Sequence, residues 1–96
     1  MRVLARISIP VESGNQAIND GTLGTVVQHA ADQWNPEAMY FTALDGRRTA
    51  FMVFDLPDTS DIPLFAEPFF RELKAEVHVA PAMNREDLGK GLSQLS

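Results

Sequence analysis

Ala38-Met-Tyr-Phe-Thr-Ala-Leu-Asp-Gly-Arg-Arg-Thr-Ala-Phe-Met-Val-Phe-Asp-Leu56 decides the fold of this chain. Two runs rich in aromatic and β-favouring residues flank Asp45-Gly46, a dipeptide that readily takes the positive φ angles of a type I′ turn. The stretch reads as a β-hairpin. With a two-residue turn, Leu44 opposes Arg47, Thr42 opposes Thr49 and Tyr40 opposes Phe51. One face then carries Tyr40, Thr42, Leu44, Thr49, Phe51, Val53 and Asp55. The other carries Met39, Phe41, Ala43, Arg48, Ala50, Met52 and Phe54, almost all apolar, and is assigned to a helix-covered core.

Upstream, Val3, Ala5, Ile7 and Ile9 alternate with Leu4, Arg6 and Ser8. That period of two marks a half-buried strand over Arg2–Pro10, ended by a proline that cannot donate to a ladder. Glu12-Ser-Gly-Asn15 reads as a turn, and Gln16–Asp20 as a short helical piece interrupted at Gly21-Thr22. Leu23, Val26, Val27, Ala30, Ala31 and Trp34 then recur at helical spacing, with Thr22 as the expected N-cap. Asn35-Pro36 stops this helix, because proline pushes the preceding residue out of the α region. His29 lies away from the apolar stripe and is expected in solvent.

Downstream, Asp58 or Ser60 caps a second helix whose apolar residues are Ile62, Phe65, Phe69 and Leu73. Pro63 suits its first turn, whereas Pro68 is expected to kink or split it. Phe69 and Phe70 read as core residues; the alternative puts Glu67-Pro-Phe-Phe70 at a cavity mouth. Ala75–Met83 reads as a fourth strand, with Val77 and Val79 on one face and Glu76, His78 and Ala80 on the other. Asn84-Arg-Glu-Asp87 resembles a capping box opening a short C-terminal helix or tail over residues 84–96.

Composition narrows the function classes. Ninety-six residues, 45% of them hydrophobic and 22% charged, suit a single globular domain spanning 1–96. A net charge of −5 opposes an electrostatic grip on phosphates or anionic membranes. Without cysteine there are no disulfides, thiolate metal sites or cysteine nucleophiles. The N-terminal run carries Arg6 and lacks a small-residue cleavage site, so it is not read as a signal peptide, and no apolar run approaches the ~20 residues of a membrane span. The expectation is a cytoplasmic protein. His29 and His78 fall on separate elements and no cofactor motif is present, so neither a metal nor a cofactor is expected. Gly21 and Gly24 read as a helix kink or close packing, not as a phosphate cradle.

Strand, helix, hairpin, helix, strand is the βαββαβ ferredoxin-like order, an α+β sandwich on a four-stranded antiparallel sheet. Right-handed crossovers place the first strand between the third and fourth, with the second at an edge. Both helices cover one face. The other displays Tyr40, Leu44, Phe51 and Val53, more apolar surface than a small domain leaves in water, and pairing with a second copy is the expected remedy.

Asp20-Gly-Thr-Leu-Gly24, Pro36-Glu-Ala-Met-Tyr-Phe41, Gly46-Arg-Arg-Thr49, Glu67-Pro-Phe-Phe70 and Glu86-Asp-Leu88 together resemble the dimeric α/β-barrel superfamily, and within it a group of uncharacterised small bacterial proteins. The resemblance implies a homodimer of ferredoxin-like subunits enclosing a small cavity. Superfamily members include cofactor-independent monooxygenases, muconolactone-isomerase-like enzymes, chlorite-dismutase-like haem proteins and stress-responsive proteins. It transfers no catalytic residue.

By parity the open face gathers Arg6, Tyr40, Thr42, Phe51, Asp55, Glu76 and His78, aromatic walls with a few polar groups, which suits a small-molecule site. His78 and Tyr40 are the candidate catalytic residues: a histidine exchanges protons near neutral pH, and a phenol orients a carbonyl. Arg6 suits an anionic group. Arg6, Tyr40, Thr42, Phe51, Glu76 and His78 form the candidate ligand set, while Asp55 reads better as a strand-end cap. The competing reading is a non-catalytic dimer or ligand-responsive accessory module in which the same residues cement the interface. RNA-recognition domains share the topology, but their third-strand motif laid on Arg47–Phe54 lacks its glycine and first aromatic, and the first strand offers no stacking ring. Nucleic acid is excluded as a partner on those residues and on charge.

Overall fold

A computed structural model describes residues 1–95. It is an α+β fold with a four-stranded antiparallel sheet, consistent with the ferredoxin-like pattern. The elements run β1 (Arg2–Ile9), α1 (Val11–Asn19), α2 (Thr22–Trp34), β2 (Ala38–Leu44), β3 (Arg47–Asp55), α3 (Ile62–Leu73), β4 (Glu76–Pro81) and α4 (Arg85–Leu92), with a single 3-10 turn at Thr59–Asp61. The sheet order is β2-β3-β1-β4 and every neighbouring pair is antiparallel.

The hairpin has the expected register: Leu44 faces Arg47, Thr42 faces Thr49 and Tyr40 faces Phe51. Asp45 and Gly46 take φ of 53° and 76°, the left-handed pair that a type I′ turn requires. Val3, Ala5, Ile7 and Ile9 are buried, as are Ala50, Met52 and Phe54 opposite them. Trp34, Phe54, Phe65 and Phe69 close the core as a chain of tilted rings, with Phe54 and Phe65 centroids 4.6 Å apart. Such pairs add about 0.5–1.5 kcal/mol each beyond their buried area.

Several expectations are corrected. The expected turn at Glu12–Asn15 is helix: α1 starts at Val11, with the Gly14 N–H donating to the Pro10 carbonyl at 2.9 Å. A Cβ at Gly14 would meet Arg48 Nη1 at 2.6 Å and Ile9 Cγ2 at 3.3 Å, so a larger residue there would have to displace the arginine tip. Thr22 is not the N-cap of α2. Gly21 holds that position at φ 82°, and the Asp20 carboxylate accepts the Thr22 N–H instead. Hydrogen bonds from Thr22, its side chain first and its amide second, hold the Asp20 carboxyl below the usual aspartate range. Asn35, left-handed at φ 43°, ends α2 where Pro36 demands it.

Pro68 does not split the second helix, which runs unbroken from Ile62 to Leu73. Its missing N–H removes one helical bond, to the Leu64 carbonyl, on an exposed stretch of the helix. Phe65, Ala66, Phe69 and Leu73 form the buried stripe; Ile62 and Phe70 are exposed, so only Phe69 of Glu67-Pro-Phe-Phe70 is core. Phe41, assigned by parity to the covered core, is 59% exposed because β2 runs past the reach of the helices. Thr49, read as part of a wetter face, is only 3% exposed.

The chain measures 55 × 27 × 18 Å, and α4 buries none of its residues. Its capping box is formed as expected: the Asn84 side chain accepts from the Asp87 N–H, and the Asp87 carboxylate accepts from the Asn84 N–H. No helix among the described residues is long and apolar enough to cross a membrane.

Candidate functional site

The sheet places the expected site residues in register, one per strand. Tyr40 on β2 faces Phe51 on β3, Phe51 faces Arg6 on β1, and Arg6 faces His78 on β4. Directly opposed side chains in such a ladder stand about 4.5–5.5 Å apart at Cβ. A polar row lies alongside, formed by Thr42, Thr49, Ser8 and Glu76. Both rows lie on the face that no helix covers.

Between the rows is a cup of about 310 Å³, lined by Arg6, Ser8, Thr49, Glu76 and His78, with Leu44, Asp45 and Arg47 at the hairpin end. The structure thus brings Arg6, Glu76 and His78 together. Tyr40, Thr42 and Phe51 share the face but sit outside the cup, Tyr40 72% exposed near the sheet edge. Glu76 is not a free acid: Arg47 Nη1 donates to it at 3.0 Å, bridging β3 to β4 across β1. Both partners are well exposed, so the bridge contributes little stability and serves mainly to orient them. Arg47 was missed in the sequence reading, although its pairing with Leu44 already puts it on this face.

Arg6, Tyr40 and His78 make no side-chain hydrogen bond or ion pair among the described residues. They are therefore available to a ligand. Asp55 is occupied otherwise, accepting from the N-terminal ammonium at 2.7 Å. Arg2, at the same end of the face, donates to Glu37 at 2.6 Å and lies 3.6 Å from Asp87, so it ties the start of α4 to the sheet. The Glu37 hydrogen bond and charge raise the Arg2 guanidinium above its ordinary range. His29 is exposed on α2. No group of three or more His, Asp or Glu residues able to hold a metal ion occurs among the described residues.

The arrangement is a shallow polar cup, its two arginines matched by Asp45 and Glu76, beside an aromatic strip. It suits an anionic or carbonyl head held by Arg6 and Arg47, with a flat apolar body over Phe51 and Tyr40. It is open to solvent on the side away from α1, α2 and α3. No protein-family model matches the chain, and no curated protein does.

Proposed function

We propose that this chain is a small-molecule-binding protein acting as a homodimer, its two open faces packed together as a dimeric α/β barrel. The observation that carries the reading is the register of the open face. An apolar strip (Tyr40, Phe51, Leu4, Val53) runs beside a cup whose Arg6 and His78 have no side-chain partner among the described residues. Leaving such a strip in water is costly, and a second copy covers it while turning an open cup into an enclosed cavity.

In this reading Arg6 and Arg47 hold the charged or carbonyl end of the ligand, and Tyr40 and Phe51 form the apolar wall. Thr42 and Glu76 supply acceptors at the rim. His78 is the group placed to take or give a proton, with Tyr40 orienting the substrate. Cofactor-independent chemistry of monooxygenase or isomerase type is the reaction class that the superfamily resemblance implies. One observation favours binding without catalysis, as an interaction or ligand-responsive accessory module: among the described residues no side chain hydrogen-bonds the His78 ring. A general base ordinarily has such a partner. The compartment expected is the cytoplasm.

Native mass spectrometry of the purified protein tests the reading. The expected spectrum shows a two-subunit species carrying a small-molecule mass excess that Arg6→Ala removes. A single-subunit species without adduct at every concentration overturns it.

A further inference from the structure

An apolar hollow lies on the other side of the sheet. It is an open groove of about 560 Å³ between α2 and the overhanging hairpin, within the size range of small-molecule sites. Leu23 and Val27 form one wall, Met39 and Phe41 the other, and Leu73 lies at the base. This is where β2 outruns the helices, and it is why Phe41 is exposed. Gly24 opens the wall further: a Cβ there would meet nothing within 4 Å, so the glycine is not needed for close packing. A glycine inside a helix is otherwise a costly choice.

Among the described residues, Arg48 is the one charged residue lining the groove. Its guanidinium crosses Gly14 and is held by α1, donating from Nη2 to Asn15 Oδ1 at 2.9 Å and from Nη1 to the Val11 carbonyl at 3.4 Å. Both acceptors are neutral, and Arg48 forms no ion pair among the described residues. On a chain of net charge −5, a half-buried and pre-oriented cation without an acid partner stands out. Apolar walls offer nothing to a polar ligand body, and the lone guanidinium favours an anionic end.

We propose that this groove binds an amphipathic carboxylate, its apolar tail along Leu23, Val27, Met39 and Phe41 and its carboxylate on Arg48. The sheet separates this site from the open-face cup, so the proposal stands or falls independently of the dimer.

Two-dimensional amide NMR of the full chain, titrated with decanoate and with decanol below their aggregation limits, tests it. Decanoate is expected to shift the Gly24, Val27 and Phe41 amides saturably and to bind about tenfold or more tighter than decanol, the difference a charge-assisted hydrogen bond supplies. Arg48→Met should reduce decanoate to the decanol level without changing decanol binding. Gly24→Leu, which fits the open space and suits a helix, should raise thermal stability while abolishing binding of both. Equal affinity for acid and alcohol, retained binding in Gly24→Leu, or shifts confined to Arg6 and His78 would overturn the assignment. So would shifts at Gly24 and Leu88 that grow with protein concentration alone, because they would give the groove to α4 of a second copy.

Discussion

Replacing Tyr40 with glutamate separates a covered face from an open one. In a lone subunit the ring is 72% exposed and without a hydrogen bond, so little is lost when it goes. The cross-strand contact with Phe51 is worth about 0.2–1 kcal/mol, and subunit stability should fall by no more than that. In a face-to-face pair the same change acts twice. Each subunit forfeits a buried ring, and each brings in a carboxylate whose nearest cation on the sheet, Arg6, is two strands away. Desolvating an unpaired carboxylate costs several kcal/mol. At about 3 kcal/mol per subunit the pair loses about 6 kcal/mol, or about four orders of magnitude in affinity. Sedimentation equilibrium of both proteins reads the dissociation constants, and urea melts of the variant read subunit stability. An undiminished dimer in Tyr40→Glu refutes the reasoning, as does a variant that loses several kcal/mol as a monomer.

Phe65→Ala removes the ring that touches Trp34, Phe54 and Phe69 in a fully buried position, and should cost about 3–5 kcal/mol in urea unfolding. Gly46→Ala forces a side chain into the left-handed region at φ 76° and should lower stability by about 1–2 kcal/mol without changing the fold seen by circular dichroism. The Asp20 and Asp58 carboxyls lie below the usual aspartate range, lowered by hydrogen bonds from Thr22 and Ser60. Their folded values sit below the unfolded ones, so the stability they add is complete above the ordinary aspartate range and is lost as pH falls through the folded values. Urea midpoints measured between pH 6 and pH 3 should fall less in the double variant Asp20→Asn, Asp58→Asn than in the parent. Arg47→Ala breaks an exposed bridge and should change stability by less than about 1 kcal/mol, yet weaken binding of an aromatic carboxylate by calorimetry.

The sheet was the legible part of this chain. Asp45-Gly46 set the hairpin register, and the period of two at Val3–Ile9 and Val77–Val79 set which faces are buried, because both signals are local. Helix boundaries were less so. Gly14 sits in α1 under Arg48, a contact made with a residue on the far side of the hairpin, and no local rule reveals it. Asp20 rather than Thr22 serves the α2 terminus because Gly21 adopts a left-handed conformation between them. At the candidate site, parity collected Arg6, Glu76 and His78 correctly onto one face, and it would have added Arg47 had its pairing with Leu44 been followed through. What parity cannot supply is extent. It assigned Phe41 to the core on orientation alone, whereas its burial depends on how far α2 reaches along β2, a property of helix placement. The groove beside Phe41 was invisible for the same reason.

A second copy covering the open face would shield its side chains from solvent, and their accessibility measures this directly. Hydroxyl-radical footprinting at rising protein concentration should show Tyr40 and His78 becoming protected together. Phe70 and His29, exposed on α3 and α2, serve as internal controls and should keep their reactivity. Reactivity of Tyr40 and His78 that does not change with concentration, in a protein sedimenting at the 10.6 kDa chain mass, would contradict the account.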